Sequence, residues 1–560
     1  MKTKTELESH IAESFAKLKF SPRGNQSQIC YDVLDAFLNK GKKNVVLGLP
    51  TGGGKSICAA VVSESLNRLT PELEGLGSII GMGTNVLGHQ YFDSFSSLDK
   101  YKVFQIKGAA NYPCKYMEKQ LSATVKTADE CVKSKLLPQE SEKFCRGCEY
   151  DAARKITNIT EILITNYSLF LISAMATNHL KPRKLHVFDE AHLLNDIFCN
   201  YTEIIVSVDQ IDKCIKDLVD TNGKCTNEIA GLIMLKNRVS SGEIGEGNYM
   251  QILEILQAIY SSIRSILGTQ SEGLIGVDNV KSSKYAKLAR KFSTNSTKIT
   301  DLFENEYEHV FDNSIPHTFT VKTIFVGKMI DKLLAPYNLF MSATITEQFA
   351  YDTLNLDAEE TEFIEVDAVF PKENKPLFFL GKQALNYHTM KEPDTINDLK
   401  EQVKAIVDFH GDDKGLILVP SFFLGSQLSR SVGRQTRVFE HKSGMSLPEL
   451  VDDFKKYKGS SILISPSIWE GLDFKDNSSR FQILIKTPFY SLGDKRIKYI
   501  ADNHPNIYQE MALIKILQGI GRSIRTPEDH AVSYFLDASS KKLYNSNLNI
   551  WKSHYDVKTN

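Results

Sequence analysis

A chain of 560 residues exceeds what one hydrophobic core serves, and a unit size of about 150 residues predicts roughly three to four structural units. With 42% hydrophobic and 24% charged residues, 33 Gly and 17 Pro, collagen-like, low-complexity and wholly disordered chains are excluded. Lys and Arg total 67 against 68 Asp and Glu, so a nucleic-acid surface has to be a local patch, not a property of the whole molecule.

The first twenty residues are polar and lack both an apolar signal core and a small-residue cleavage site. The longest apolar stretch, Ile162 to Met175, is broken by Thr165, Asn166, Ser168 and Ser173, and falls short of the roughly 18 to 20 apolar residues of a membrane span. The chain is therefore expected to be soluble and intracellular, or cytoplasmic, with no membrane partner. Nine cysteines without an export signal argue against a disulfide framework and direct attention to their clustering.

Four apolar runs, Asn44 to Leu47, Ser78 to Met82, Glu161 to Thr165 and Lys184 to Phe188, alternate with helical patterns and predict buried parallel strands. A second series follows at Gly415 to Val419, Ser461 to Ile464, Gln482 to Ile485 and Ala531 to Leu536. The fold class is thus α/β, with two parallel-sheet domains in tandem and a functional cleft between them. Two regions interrupt the pattern. Segment 108 to 150 holds four of the nine cysteines and little periodicity. Segment 196 to 330 reads as helical, its clearest helix spanning Tyr249 to Leu267 with Ile252, Ile255, Leu256, Ile259, Ile263, Ile266 and Leu267 on one core-facing stripe. The last residues, Lys541 to Asn560, read as a short polar tail.

The first strand runs into Gly48-Leu49-Pro50-Thr51-Gly52-Gly53-Gly54-Lys55-Ser56 and then a helical stretch, the pattern of a phosphate-binding loop. Thr51, Gly52, Gly53 and Gly54 let backbone amides face phosphates, Lys55 reaches the terminal phosphates, and Ser56 can ligate magnesium. The first Gly of the general pattern is replaced by Leu49. After the strand Lys184 to Phe188 come Asp189 and Glu190, where Asp189 suits a magnesium ion and Glu190 an attacking water. Gln518-Gly519-Ile520-Gly521-Arg522-Ser523-Ile524-Arg525 places two arginines three apart on one predicted helical face, able to reach across a cleft to the charge that develops in phosphoryl transfer.

These stretches resemble superfamily 2 helicases of the DinG and XPD group, and the resemblance spans both α/β domains. Arg23 and Gln26 resemble that family's adenine-side motif, and Thr84, Leu87 and Gln90 its first nucleic-acid motif. Ser342-Ala343-Thr344 resembles the coupling motif, and Trp469-Glu470-Gly471-Leu472-Asp473-Phe474, followed by Pro488-Phe489, is the most family-specific stretch. By resemblance Gly471 and Asp473 line the nucleotide, and Gln518, Arg522 and Arg525 complete the catalytic set. Asp529-His530-Ala531 departs from the family's Asp-x-Gly and is left unassigned.

Residues Lys107 to Cys114 look like the approach to the family's first iron-sulfur ligand, followed by Cys131, Cys145 and Cys148. Four thiolates suffice for a 4Fe-4S cluster, although spacing alone would equally allow zinc. Cys30, Cys58, Cys199, Cys214 and Cys225 are expected to be free and buried. Between Lys281 and Lys298 lie six basic residues and no acid, with Tyr285 and Phe292 interleaved, which suits a single-strand track with aromatic platforms as well as a solvated helix face.

The resemblance implies two tandem RecA-like motor domains with an inserted iron-sulfur module and a helical arch-like insertion. Residues 1–107 then begin motor domain 1, 108–150 are the cluster insertion, and 151–195 are the second part of domain 1. Residues 196–330 are the arch, 331–365 the return and linker, and 366–560 motor domain 2. The expected activity is ATP-dependent DNA unwinding with magnesium, on single-stranded and forked DNA, by a monomer moving 5′ to 3′. An ATP-switched clamp that unwinds nothing is the rival from a different class.

Overall fold

A computed structural model describes residues 1–50, 53–95, 97–99, 101–114, 128, 146–173, 180–221, 223–274, 279–366, 371–433, 435–469, 474, 476–524, 529–546, 551 and 555–558. In chain order the strands are β1 Asn44–Gly48, β2 Leu76–Met82, β3 Val103–Gln105, β4 Ile162–Asn166, β5 Arg183–Asp189, β6 Ile204–Ser207, β7 His309–Asp312, β8 Thr318–Thr323, β9 Tyr337–Ser342 and β10 Thr361–Glu365. They continue with β11 Pro376–Phe379, β12 Lys414–Leu418, β13 Arg437–Glu440, β14 Ser461–Ser465, β15 Phe481–Leu484, β16 Val532–Phe535 and β17 Asp556–Lys558.

Two seven-stranded sheets form two lobes, in the orders β10-β1-β9-β5-β2-β4-β3 and β13-β14-β12-β15-β16-β11-β17. The paired strands within each sheet are parallel. Parallel strands need crossover helices, which cover both faces, so each strand buries its odd and even residues alike. Val45 and Leu47 enter one core of lobe 1 and Val46 the other, and Phe188 of β5 stacks on Phe340 of β9 at 4.6 Å. Lobe 2 repeats the alternation, with Leu416 and Leu418 on one face and Ile417 on the other.

All eight strands expected from the apolar runs form, with ends moved by one or two residues. The others were hidden by their shortness or polarity. Among them is β17, which corrects the reading of the carboxyl end as a polar tail. Trp551 is fully buried against Phe379, Phe535 and Tyr544, and β17 pairs with β11. A few large apolar anchors in a polar stretch are enough to fold it, because each buries more area than the surrounding lysines and serines give up.

Segment 196–330 is corrected in a second way. Besides helices it contains the antiparallel sheet β6-β8-β7. Its dominant feature is a hairpin of two helices, Tyr249–Gly273 and Asn279–Asn305. Leu253, Leu256, Tyr260, Ile263 and Leu267 alternate three- and four-residue steps and are buried, facing Tyr285, Leu288, Phe292, Ile299 and Leu302. Ile255, expected on the core stripe, is 47% exposed, because a seam of that period turns it outward. Two serine pairs cross the hairpin: Ser261 Oγ to Ser296 Oγ at 2.8 Å, and Ser271 with Ser282, where each hydroxyl reaches the other's carbonyl at 2.7 and 2.8 Å. No described helix is long and apolar enough to cross a membrane.

The hairpin's apolar core is continuous with one face of the lobe 1 sheet and with Ile497, Ile500, Met511 and Ile514 of lobe 2. Polar contacts reinforce this joint. Arg496 is buried, donates to the carbonyl of Ile324 at 3.2 Å, and pairs with Asp196 at 3.1 Å. Lys322 pairs with Asp494 at 2.6 Å.

Candidate functional site

Three neighbouring strands of lobe 1 end together. Gly48 of β1 is level with Ser342 of β9, and Asp189 of β5 with Met341. The carboxyl edge of the sheet therefore presents the glycine-rich loop, the Ser-Ala-Thr stretch and the acidic pair in one row, where open α/β sheets bind ligands.

The departure at Leu49 has a packing explanation. Leu49 is fully buried, and a Cβ on Gly53 would lie 2.7 Å from its Cδ1. The side chain thus occupies the space that a residue larger than glycine at position 53 would need. Gly54 is in the left-handed region (φ +81°), and a Cβ there would meet Gln26 Nε2 at 2.1 Å. Gln26 is buried against the loop, donating to the carbonyl of Gly53 at 3.3 Å while its oxygen accepts from the amide of Arg23 at 3.0 Å. Arg23 itself is exposed. The helix Lys55–Leu69 follows directly, and Tyr91 donates its hydroxyl to the carbonyl of Ser56 at 3.1 Å.

Lys55 Nζ pairs with Glu190 Oε1 at 2.6 Å. Burial pushes the Glu190 carboxyl up, but the charge of Lys55, with smaller help from His192 and Arg522, overrides it and holds the group at about 2. Asp189 goes the other way, pushed up to about 6 by burial and by the Glu190 charge, against the pull of Lys55. Glu190 adopts a left-handed backbone (φ +53°), which costs roughly 1–2 kcal/mol in a residue with a Cβ. That turn ends β5 abruptly and begins the short helix Ala191–Leu193; the carboxylate of Asp189 accepts from the Glu190 amide at 3.1 Å, and Tyr167 donates to the Asp189 carbonyl at 2.6 Å.

His192 connects the acidic pair to lobe 2 and to the Ser-Ala-Thr stretch. Its Nδ1 lies 2.8 Å from Ser342 Oγ and 3.5 Å from Glu190 Oε2, and its Nε2 meets the amide nitrogen of Gln518 from lobe 2. Burial, Lys55 and Arg522 push His192 down to about 4 against the pull of Glu190, so the ring is neutral at physiological pH. An amide nitrogen can only donate, so Nε2 accepts and Nδ1 carries the proton toward Ser342. Ser342 Oγ also accepts from the Thr344 amide at 3.1 Å. A chain of hydrogen bonds thus runs from lobe 2 through the acidic motif to the Ser-Ala-Thr stretch.

Gln518 lies on the helix Pro505–Ile520, which we call the seam helix. Arg522 follows in the turn Gly521–Ser523, not on a continuing helical face as its spacing suggested, because the helix ends at Ile520. Its Nη2 donates to the carbonyl of Trp469 at 3.2 Å, and its own carbonyl accepts from Phe474 at 3.1 Å. The stretch around the family-specific motif is therefore fastened to Arg522, whose charge acts on Glu190 and His192 across the seam. Trp469 in turn sits on Gly519.

Thr51, Gly52, Gly471, Asp473, Arg525, Cys131 and Cys145 lie outside the described residues, as does the side chain of Gln90. Thr84 is exposed and caps its helix by accepting from the Leu87 amide at 3.2 Å. Cys114 and Cys148 are half-buried, and the rings of Tyr112 and Tyr150, each two residues away, pack at 5.4 Å. That contact brings the described ends of the insertion together. Among the described residues no group of three or more His, Cys, Asp or Glu side chains forms a metal site. The five remaining cysteines are free and buried.

The interleaved aromatics of the basic track are corrected. Tyr285 and Phe292 point into the hairpin core and offer no stacking platform. Lys284 and Lys291 pair with Asp220 and Asp217 at 2.9 and 3.3 Å, while Lys281, Lys287 and Arg290 line an exposed face.

Residues that sequence reasoning missed are Tyr91, Tyr167, Thr346, Arg496 and Glu510. Each acts through a partner distant in the chain, and no local pattern marks them.

Comparison with known proteins agrees with this geometry. A DEAD_2 family model matches residues 93–211, and a helicase C-terminal domain model matches residues 406–554. The chain is 22% identical to the ATP-dependent DNA helicase YoaA of Haemophilus influenzae, over 92% of this chain and 91% of that protein, and equally to YoaA of Escherichia coli. It is 21% identical to the ATP-dependent DNA helicase CHL1 of Debaryomyces hansenii, over 70% of this chain and 57% of the relative. An XPD helicase structure superposes with a TM-score of 0.60 at 16% identity, covering 96% of this chain and all of the other, and S. tokodaii Xpd4 does so at 0.59 and 15%. Paired domain matches, relatives aligned nearly end to end and an XPD-like fold around a glycine-rich loop and an acidic pair make the chain similar to the DinG/XPD-like group of superfamily 2 helicases.

Proposed function

We propose that this protein hydrolyses ATP between its lobes and uses their opening and closing to move along single-stranded DNA, 5′ to 3′, parting the duplex of a fork. The observation that carries the reading is the contact of Gln518 with His192, which ties lobe 2 to the acidic pair beside the phosphate loop.

In this reading Thr51 to Gly54 and Lys55 cradle the phosphates, Arg23 and Gln26 take the adenine side, and Gly471 and Asp473 close over the nucleotide from lobe 2. Ser56 and Asp189 would hold magnesium, which neutralises phosphate oxygens. Lys55 pairs with Glu190 at 2.6 Å. A triphosphate draws the ammonium away, and Glu190, relieved of the charge that holds its carboxyl low, becomes a stronger base while the substrate is present. Glu190 then takes a proton from the attacking water, and Arg522 and Arg525 face the charge on the transferred group. Gln518 reads the state of this site through His192 and passes it to Ser342.

Cys114, Cys131, Cys145 and Cys148 would hold a 4Fe-4S cluster, with zinc as the rival occupant, and such a group cross-links a module short of apolar residues. DNA is the chosen substrate because the YoaA and CHL1 relatives are named as DNA helicases. Exposed Lys281, Lys287 and Arg290 offer phosphate contacts on the hairpin.

A forked duplex with a 5′ single-stranded tail tests the reading. The wild type is expected to displace the strand when ATP and magnesium are added, and Lys55→Ala to bind the fork without displacing it. Tight binding by the wild type with no ATP-dependent displacement would overturn the motor in favour of a clamp.

A further inference from the structure

On the seam helix, Glu510, Ile514 and Gln518 are spaced by four residues and share one face. Gln518 touches His192, and Ile514 is buried in the apolar core shared with lobe 1. Glu510 meets Thr346, whose hydroxyl donates to Glu510 Oε1 at 3.0 Å. Thr346 lies two residues beyond the Ser-Ala-Thr stretch, and the same hydroxyl caps the helix Glu347–Leu354 by accepting from the Phe349 amide at 3.0 Å. Its single proton is therefore committed to Glu510. The second carboxyl oxygen, Oε2, is buried with no hydrogen-bond partner among the described residues. A carboxylate half-satisfied by one hydroxyl in a buried seam is costly, and the cost falls sharply when a proton removes the charge.

The surroundings supply little to offset that charge. The helix Glu347–Leu354 brings Glu347, engaged with Tyr351, and Asp352, whose charge opposes ionisation of Glu510. The helix Leu194–Thr202 brings Asp196, which is paired with Arg496. The helix Lys495–Asn503 carries Lys495, Arg496, Lys498 and Asp502, of which Lys498 and Asp502 pair with each other at 2.8 Å. His504, which precedes the seam helix, packs on Phe325, and Lys515 lies over the ring of Tyr490.

We propose that Glu510 is a positioning residue which seats the seam helix on lobe 1 as a neutral carboxylic acid, and which gives up its proton when the lobes part. It acts through Thr346 and through the angle at which the helix delivers Gln518 and Arg522, not on the substrate. Burial, helped by Asp352 and opposed by the Thr346 hydroxyl, pushes the seated carboxyl up to about 7, against 4.5 when free. Docking therefore takes up a proton. The advantage is fully present below the free value and is lost as pH rises through about 7, the docked-to-open ratio falling about tenfold per pH unit across that window. This inference rests on the reading of the lobes as a motor that opens and closes.

Energy transfer between dyes on non-natural residues at Lys4 and Phe409, both exposed and on opposite lobes, measures docking in the full chain without nucleotide. In the wild type, transfer is expected to decline between pH 5.5 and 8. Glu510→Gln, a neutral isostere, should stay docked throughout, and Glu510→Ala should dock less than Glu510→Gln at every pH, with no pH dependence of its own. A flat wild-type profile, or a Glu510→Gln profile that follows the wild type, would overturn the proposal. ATP hydrolysis with saturating single-stranded DNA is followed in parallel. Its absence in the wild type at every pH would sink the motor reading, while the transfer profiles would still judge Glu510.

Discussion

The pair between Lys55 and Glu190 makes a prediction that separates stability from catalysis. Lys55→Met leaves Glu190 half-buried beside Asp189 with its principal counter-charge gone. The carboxyl is held at about 2 against an ordinary 4.5, a difference worth about 3 kcal/mol net of burial. Removing one partner of a fully buried pair costs roughly 3–5 kcal/mol, and this pair is only part-buried, so a loss at or below the lower figure is expected for the transition of lobe 1. In the variant, burial pushes the Glu190 carboxyl up with its main opponent gone, so its contribution is favourable at low pH and lost as pH rises through the raised value. The deficit measured by calorimetry should accordingly be larger at pH 7.5 than at pH 5.5. Lys55→Met combined with Glu190→Gln removes the stranded charge and should recover most of the melting temperature, although neither variant hydrolyses ATP. If Lys55→Met melts with the wild type at both pH values, or the second substitution restores nothing, the pair is not the electrostatic unit described.

Three further outcomes are expected. Gly53→Ala should destabilise lobe 1 through its clash with Leu49, and Leu49→Ala by about 2–5 kcal/mol through the space it empties, whereas the double variant should cost less than the two together, as a thermodynamic cycle would register. Trp551→Ala should cost about 3–5 kcal/mol in the unfolding transition of lobe 2, and an unchanged transition would restore the view of residues 541–560 as a tail. Gln518→Ala should lower kcat for DNA-stimulated hydrolysis about tenfold to a hundredfold with little change in the KM for ATP, since it alters how the lobes are held and not the phosphate cradle.

The glycine-rich loop and the acidic pair were legible as neighbours because each is a contiguous run following an apolar strand. What joins them was not. The bond between His192 and Gln518 spans 326 positions, and that between Thr346 and Glu510 spans 164. Only the packing of the seam helix on lobe 1 creates either. Composition misled where a few residues outweigh many, as with Trp551 and Tyr544 among polar neighbours. Spacing misled where two readings share a period: Tyr285 and Phe292 are seven residues apart, which suits a row of platforms and equally the inward seam of paired helices, and burial of large rings favours the second.

The serine pairs across the long hairpin bear on how force travels. A seam lined only by leucines and isoleucines tolerates slippage, since one apolar register packs nearly as well as the next. Reciprocal hydroxyl bonds at Ser271 and Ser282 penalise any shift by leaving buried polar atoms stranded. Two pinned helices, the first of 25 residues and so roughly 37 Å long, then behave as a stiff rod rooted between the strands that bear the acidic pair and the Ser-Ala-Thr stretch. A tilt of about 10° at such a root sweeps the far end through roughly 6 Å.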